Sequence, residues 1–157
     1  LAPFIRSICR HVMTSINRSA LVEYSAEQMF DLVNDIEHYP KFMQGCTSAK
    51  VLSESDTELV GELCLSKAGI SQQFTTKNIL LRPERIDMSL VEGGFKNFTS
   101  QWTFTPLTEG ACKMTLAMEF EFKSGLMGFA AEKLFSSSAN NLIDAIMRRA
   151  HEVYSSE

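Results

Sequence analysis

The sequence predicts an α+β domain in which a curved antiparallel sheet of about seven strands wraps one long C-terminal helix, with two short helices after the first strand. Three observations predict it. Small and apolar residues recur three and four apart as Ala131, Leu134, Phe135, Ser138, Ala139, Leu142, Ala145, Ile146, Ala150 and Val153. The opposite side carries Glu132, Lys133, Asn140, Asn141, Asp144, Arg148 and Glu152, so this is an amphipathic helix lying on something apolar. The run before it alternates strictly, with Met114, Leu116, Met118, Phe120 and Phe122 on one face and Lys113, Thr115, Glu119, Glu121 and Lys123 on the other, which is the pattern of a half-buried strand. Finally, the stretch from Cys46 to Lys123 holds strand-like runs separated by short turns and almost no helical period. A single helix has too narrow an apolar side to cover a flat sheet, so the sheet must curl around it.

In chain order, Thr14–Glu23 reads as a strand carrying Ile16, Leu21 and Val22. The period then changes. Ser25 with Gln28 forms a capping-box pattern flanked by the apolar pair Tyr24 and Met29, which starts a helix burying Met29, Phe30, Leu32 and Val33. Asp35 is placed to cap a second short helix through Ile36 and His38, which Tyr39-Pro40 is expected to interrupt or bend. Strands follow at Thr47–Ser53, Glu58–Ser66, Ile70–Leu80, Arg85–Val91, Asn97–Thr105 and Cys112–Lys123, split by turn formers such as Ala68-Gly69, Arg82-Pro83-Glu84 and Gly93-Gly94. Connections this short require antiparallel neighbours. The Ile70 strand is the untidy one, because Gln72, Thr76 and Asn78 share a face with Phe74. Polar groups on a face meant for the core are costly unless wet or hydrogen-bonded, and so they point to a cavity with polar spots.

With 157 residues, 45% hydrophobic and 22% charged, the chain suits one domain with a substantial core. A net charge of −4 gives no whole-molecule attraction to DNA or anionic lipid. Cys9, Cys46, Cys64 and Cys112 show no metal-ligand spacing, which predicts reduced thiols, a cytoplasmic location and no metal. No apolar run is long enough for a membrane helix, which leaves peripheral membrane contact as the only membrane role. Residues 1–12, with Arg6, Arg10 and His11 and no acid, are read as an N-terminal extension, either non-native or an amphipathic anchor, leaving 13–157 as the domain. Catalysis has little support. His11 lies in that extension, His38 in a capped turn and His151 in the last helical turn, and no phosphate loop or nucleophile elbow is present. The expectation is a protein without catalytic residues and without a required cofactor.

The order of these elements resembles the START or helix-grip fold shared with polyketide cyclases and the birch-pollen allergens. Asn34-Asp35-Ile36-Glu37-His38-Tyr39-Pro40-Lys41-Phe42, Cys46, Phe120-Glu121-Phe122-Lys123-Ser124 and the ending Ala145 to Tyr154 narrow the likeness. They resemble the coenzyme-Q-binding START proteins and equally the bacterial ribosome association toxins of the RatA type. The first likeness implies a hydrophobic tunnel that holds ubiquinone or another isoprenoid lipid and supports respiration. The second implies a toxin–antitoxin component that binds the large ribosomal subunit and blocks subunit joining. The third, more distant, implies a polyketide cyclase-like enzyme.

For a lipid channel the sheet would supply Phe74, Met88, Leu90, Phe98, Trp102, Phe104, Met114, Met118 and Phe120, and the long helix Phe135, Ser138 and Leu142. Tyr39 and Phe42 would form its mouth, and Ser100, with Gln72 and Asn78, would offer polar contacts. For ribosome binding the candidate phosphate contacts are Lys41, Lys77, Arg82, Arg85, Lys123, Lys133, Arg148 and Arg149.

Overall fold

The computed structural model describes residues 13–123 and 128–155. The extension expected over residues 1–12 therefore lies outside the described residues. Strand β1 (Thr14–Val22) leads through helix α1 (Ala26–Asn34) and a 3-10 helix (Ile36–Lys41) to β2 (Cys46–Glu54). Then come β3 (Glu58–Lys67), β4 (Ile70–Leu81), β5 (Arg85–Glu92), β6 (Phe95–Thr108), β7 (Ala111–Phe122) and helix α2 (Gly128–Tyr154). Among the described residues the sheet has seven strands in the order β1-β7-β6-β5-β4-β3-β2, every neighbouring pair antiparallel. The helix-grip arrangement expected from the sequence is present.

Local chemistry explains the joints. Ser25 caps α1 by accepting from the Gln28 N–H, while the Gln28 side chain accepts from the Ser25 N–H. The 3-10 helix runs through Pro40 to Lys41 where an interruption was expected. Pro40 costs this short helix one N–H, and the Tyr39 hydroxyl donates back to the Val33 carbonyl, pinning the turn to α1. β6 extends beyond the expected Thr105 to Thr108, and its register slips between Pro106 and Thr108, where the proline has no N–H to give the ladder.

Helix α2 lies along the inner face of the sheet. Leu134, Phe135, Ala139, Leu142, Ile143, Ile146 and Ala150 are buried. Val153, expected on the covered stripe, is 40% exposed. Polar ties fix the helix at the β1 edge: Thr14 Oγ1 donates to Glu132 at 2.9 Å, and Arg18 donates to the Asn140 carbonyl at 2.8 Å and pairs with Asp144 at 3.4 Å. At its C-terminal end the Tyr154 hydroxyl donates to the Gln28 carbonyl at 2.9 Å. Among the described residues no helix is long and apolar enough to cross a membrane.

Candidate functional site

Register brings six inward side chains into one row across the sheet: Leu59, Asn78, Met88, Ser100, Met118 and Ile16, on β3, β4, β5, β6, β7 and β1. The polar and flexible members of this row face the middle of α2, where Phe135, Ala139 and Leu142 come down onto the sheet. A small internal cavity lies between them. Its volume is about 50 Å³. That falls well short of the roughly 300–1,000 Å³ of a small-ligand site.

Of the residues expected to form a channel, Tyr39, Phe74, Met88, Phe98, Trp102, Met118, Phe135 and Leu142 line this cavity. The others are placed elsewhere. Phe104 packs on Phe30 with ring centres 5.7 Å apart, and Met114 and Phe120 are wholly buried in the packed core. Leu90 sits half-buried two residues along β5 from Met88, and Phe42 packs edge-on against Tyr39 at 5.2 Å, outside the cavity. Ser138 is buried beneath the backbone of Gly45. Ser100 lies in the central row, yet its hydroxyl is buried without a hydrogen-bond partner. For the strand residues the physical reason is shared: alternation identifies the inner face, whereas the cavity takes in only that part of the face that α2 fails to fill.

Sequence reasoning missed the contribution of the first helices, because Val33, Asn34, Ile36 and Met43 also line the cavity. The signal was available in the apolar face of α1, which has to land on the open side of the sheet. The polar pattern of β4 was a sound guide. Thr76 and Asn78 are both buried at the cavity, and the Thr76 hydroxyl donates to Asn78 Oδ1 at 2.9 Å. Asn34 Oδ1 is buried beside them without a partner. Gln72, also expected to contribute, is only half-buried and does not line the cavity.

Among the described residues, Tyr39 is the ionisable side chain in the cavity lining. Burial, reinforced by Cys46 and Asp35, pushes the Tyr39 phenol well above its ordinary 10.0. Burial first, then Cys64, pushes the Cys46 thiol up to about 11 from an ordinary 9.0. Burial raises Cys112 as well, whereas hydrogen bonding, from Ser71 first and then Thr47, lowers Cys64 on the outer face. A thiol raised by folding favours the protonated native state. The stability it contributes is intact below pH 9.0 and is lost as the pH climbs through about 11. Denaturant titrations at a series of pH values should therefore show stability declining above pH 9, and Cys46→Ala should make that decline shallower; an unchanged slope would refute the assignment.

Ser100 gives a second prediction. A buried hydroxyl with no partner carries its desolvation cost uncompensated, so Ser100→Ala should stabilise the protein by about 1 kcal/mol, read as a rise of roughly 2–4 °C in Tm. A fall in Tm would mean that the hydroxyl is satisfied.

On the outer surface, the Arg149 guanidinium lies 5.8 Å from the centre of the Phe42 ring and its Nη1 is 3.6 Å from Glu152. Arg82 forms a two-pronged pair with Asp31 at 2.8 and 2.9 Å, Arg85 pairs with Asp87 at 3.1 Å and Lys77 with Glu58 at 3.5 Å. Four of the eight expected phosphate contacts thus already face carboxylates. Lys41, Lys123, Lys133 and Arg148 stand on exposed positions. No group of three or more potential metal ligands occurs among the described residues.

Comparison with known proteins places this geometry. Helix-grip structures match over nearly the whole chain: the Zhui aromatase/cyclase from Streptomyces has a TM-score of 0.77 at 14% identity, covering 92% of this chain and 99% of its own. A START superfamily protein from Mycobacterium smegmatis has a TM-score of 0.73 at 20% identity, covering 88% and 98%. At these identities the likeness is one of fold. Sequence relatives are nearer. The ribosome association toxin RatA of Vibrio cholerae is 49% identical over 142 residues, 90% of this chain and 99% of that protein. The protein of the same name from Escherichia coli K12 is 44% identical over 144 residues, covering 92% and 91%. A mitochondrial coenzyme Q-binding protein, COQ10 homolog B of Xenopus laevis, is 25% identical over 142 residues, covering 88% of this chain and 58% of its own. The family model described as polyketide cyclase / dehydrase and lipid transport matches residues 22–147, and the chain belongs to that family.

Proposed function

We propose that this chain is a non-catalytic, cytoplasmic ribosome-association protein that binds the large ribosomal subunit through its outer surface and hinders subunit joining. The observation that carries the reading is 49% and 44% identity, over almost the full length of both partners, to proteins named ribosome association toxin. The interior supports it from the other side, since a cavity of about 50 Å³ leaves the surface as the part of the molecule available to a partner. Exposed cations such as Lys41, Lys123, Lys133 and Arg148 are the groups that would meet phosphate there. Overproduction followed by sedimentation of ribosomes tests it. The expected result is a shift from joined ribosomes to free subunits, with the protein co-sedimenting with the large one; an unaltered profile overturns the reading.

The quinone-carrier reading that the sequence placed first becomes the second. It is favoured by one feature, the polar pair Thr76 and Asn78 set in an otherwise apolar lining with the adaptable side chains of Met88 and Met118. To admit an isoprenoid tail, α2 would have to move off the sheet. Solvent extraction of the purified protein and mass spectrometry decide the point: a stoichiometric quinone would establish this reading, and the absence of bound or added quinone would remove it.

A further inference from the structure

We infer that a groove on the outside of the molecule, between the first half of α2 and the β3–β4 turn, binds a long-chain carboxylate. This site is separate from the internal cavity and shares only Lys133 with the cations offered to the ribosome. The groove has a volume of about 300 Å³, at the lower edge of the range for small-ligand sites. Ala68, Ile70, Ala130 and Leu134 give it an apolar lining. Lys67 reaches it from the end of β3 and Lys133 from α2, and among the described residues no Asp or Glu lines it. In a chain of net charge −4, two ammonium groups on one apolar groove are a local reversal of sign.

The groove continues along the helix. Phe129, Lys133 and Ser137 are spaced four apart and so share a helix face. Lys133 and Ser137 line the groove, and the Phe129 ring, 77% exposed, prolongs the apolar surface by one turn. An apolar ring left this exposed, in line with an apolar groove, is the surface that a hydrocarbon chain covers.

The occupant follows from what the groove can and cannot offer. A peptide strand needs free main-chain partners, but the Ser66 N–H already donates to the Gly45 carbonyl at 2.8 Å and the Cys46 N–H to the Met43 carbonyl at 3.1 Å. A nucleobase needs an aromatic platform or side-chain amides; among the described residues no aromatic lines the groove itself, and the Gln44 side-chain oxygen accepts from Asn141 at 3.1 Å. A hydrocarbon chain requires no hydrogen bonds from the walls, and a single carboxylate head satisfies both lysines. Gly45 shapes the inner wall. A Cβ there would lie 2.9 Å from Ser138 Oγ, so glycine is what allows this loop to close on the helix.

The test uses the full chain and dodecanoate below its micellar concentration, followed by isothermal titration calorimetry, with dodecanol as the uncharged control. The expected result is saturable one-site binding of dodecanoate and weaker binding of dodecanol. Lys67→Glu with Lys133→Glu should weaken dodecanoate roughly tenfold, as removal and reversal of two exposed charge pairs would. Ala130→Trp should abolish binding by filling the groove while the melting temperature holds; if that variant fails to fold, the double charge reversal still decides. Absence of saturable binding, or an affinity that the charge reversal leaves unchanged, overturns the proposal. A concentration-dependent dimer that Ala130→Trp dissolves would overturn it too, since a second copy would then be the occupant.

Discussion

Phe135→Ala should destabilise this protein by about 3–5 kcal/mol, at the upper end of what a large-to-small core substitution costs. Phe135 comes down from α2 into a nest of five other rings. Its centre lies 4.7 Å from Phe120, 4.9 Å from Phe95, 5.6 Å from Phe74, 5.9 Å from Phe122 and 6.2 Å from Phe98. With Phe120 it meets at 73°, and with the others at 74° to 79°, the edge-to-face geometry in which ring quadrupoles attract. Removing the ring forfeits these contacts and the burial of a side chain only 3% exposed. It also merges the new void with the adjoining cavity of about 50 Å³, whose lining is held by the sheet and cannot collapse inward easily. Equilibrium denaturation measures the loss, with Phe129→Ala as the exposed control, expected near zero. A cost for Phe135→Ala below roughly 2 kcal/mol would mean that α2 settles onto the sheet and that the cluster is more plastic than this geometry implies.

The same residue shows how far the sequence could be read. The three-and-four spacing around Phe135 and the strict alternation of β7 and β6 are local periodicities, and local periodicity is what specifies an element and its buried face. Hence the strands, the long helix and the grip were legible. Where a cavity opens within a buried face is a different kind of question. It depends on which side chains from separate elements meet, as Asn78, Met88, Ser100 and Met118 do through register set across four strands. Phe104, Met114 and Phe120 have the same pattern as Phe98 and Trp102, yet the first three end in solid packing and the other two at the void. The anomaly in β4 was the most informative local signal, because a polar residue on an inner face has to answer for its hydrogen bonds, and Thr76 and Asn78 do so with each other. Pairing of surface charge was illegible for a related reason: Arg82 meets Asp31 across 51 residues of sequence, and nothing near either residue announces the other.

Ser138→Trp separates a packed interior from a tunnel. Ser138 is 2% exposed, and its hydroxyl oxygen lies where a Cβ on Gly45 would come within 2.9 Å. Gly45 itself has φ +82, a conformation that suits glycine and that fixes the course of the loop into β2. An indole at position 138 would meet the Gly45 loop unless it turned outward into the groove that Ser138 also lines, and the internal void of about 50 Å³ is smaller than the group being added. Directed inward, the ring must force the loop or the helix aside. Overpacking typically costs about 1–3 kcal/mol, and here it acts on two elements at once, so a loss of at least 3 kcal/mol is expected, visible as a lowered denaturation midpoint. In a hollow tunnel the outcome would be the opposite, with the ring accommodated, stability nearly unchanged and uptake of an apolar ligand blocked. A stable Ser138→Trp protein that has also lost uptake of an apolar ligand would accordingly show that space opens beneath α2 in solution, and would move the quinone reading ahead of the ribosomal one.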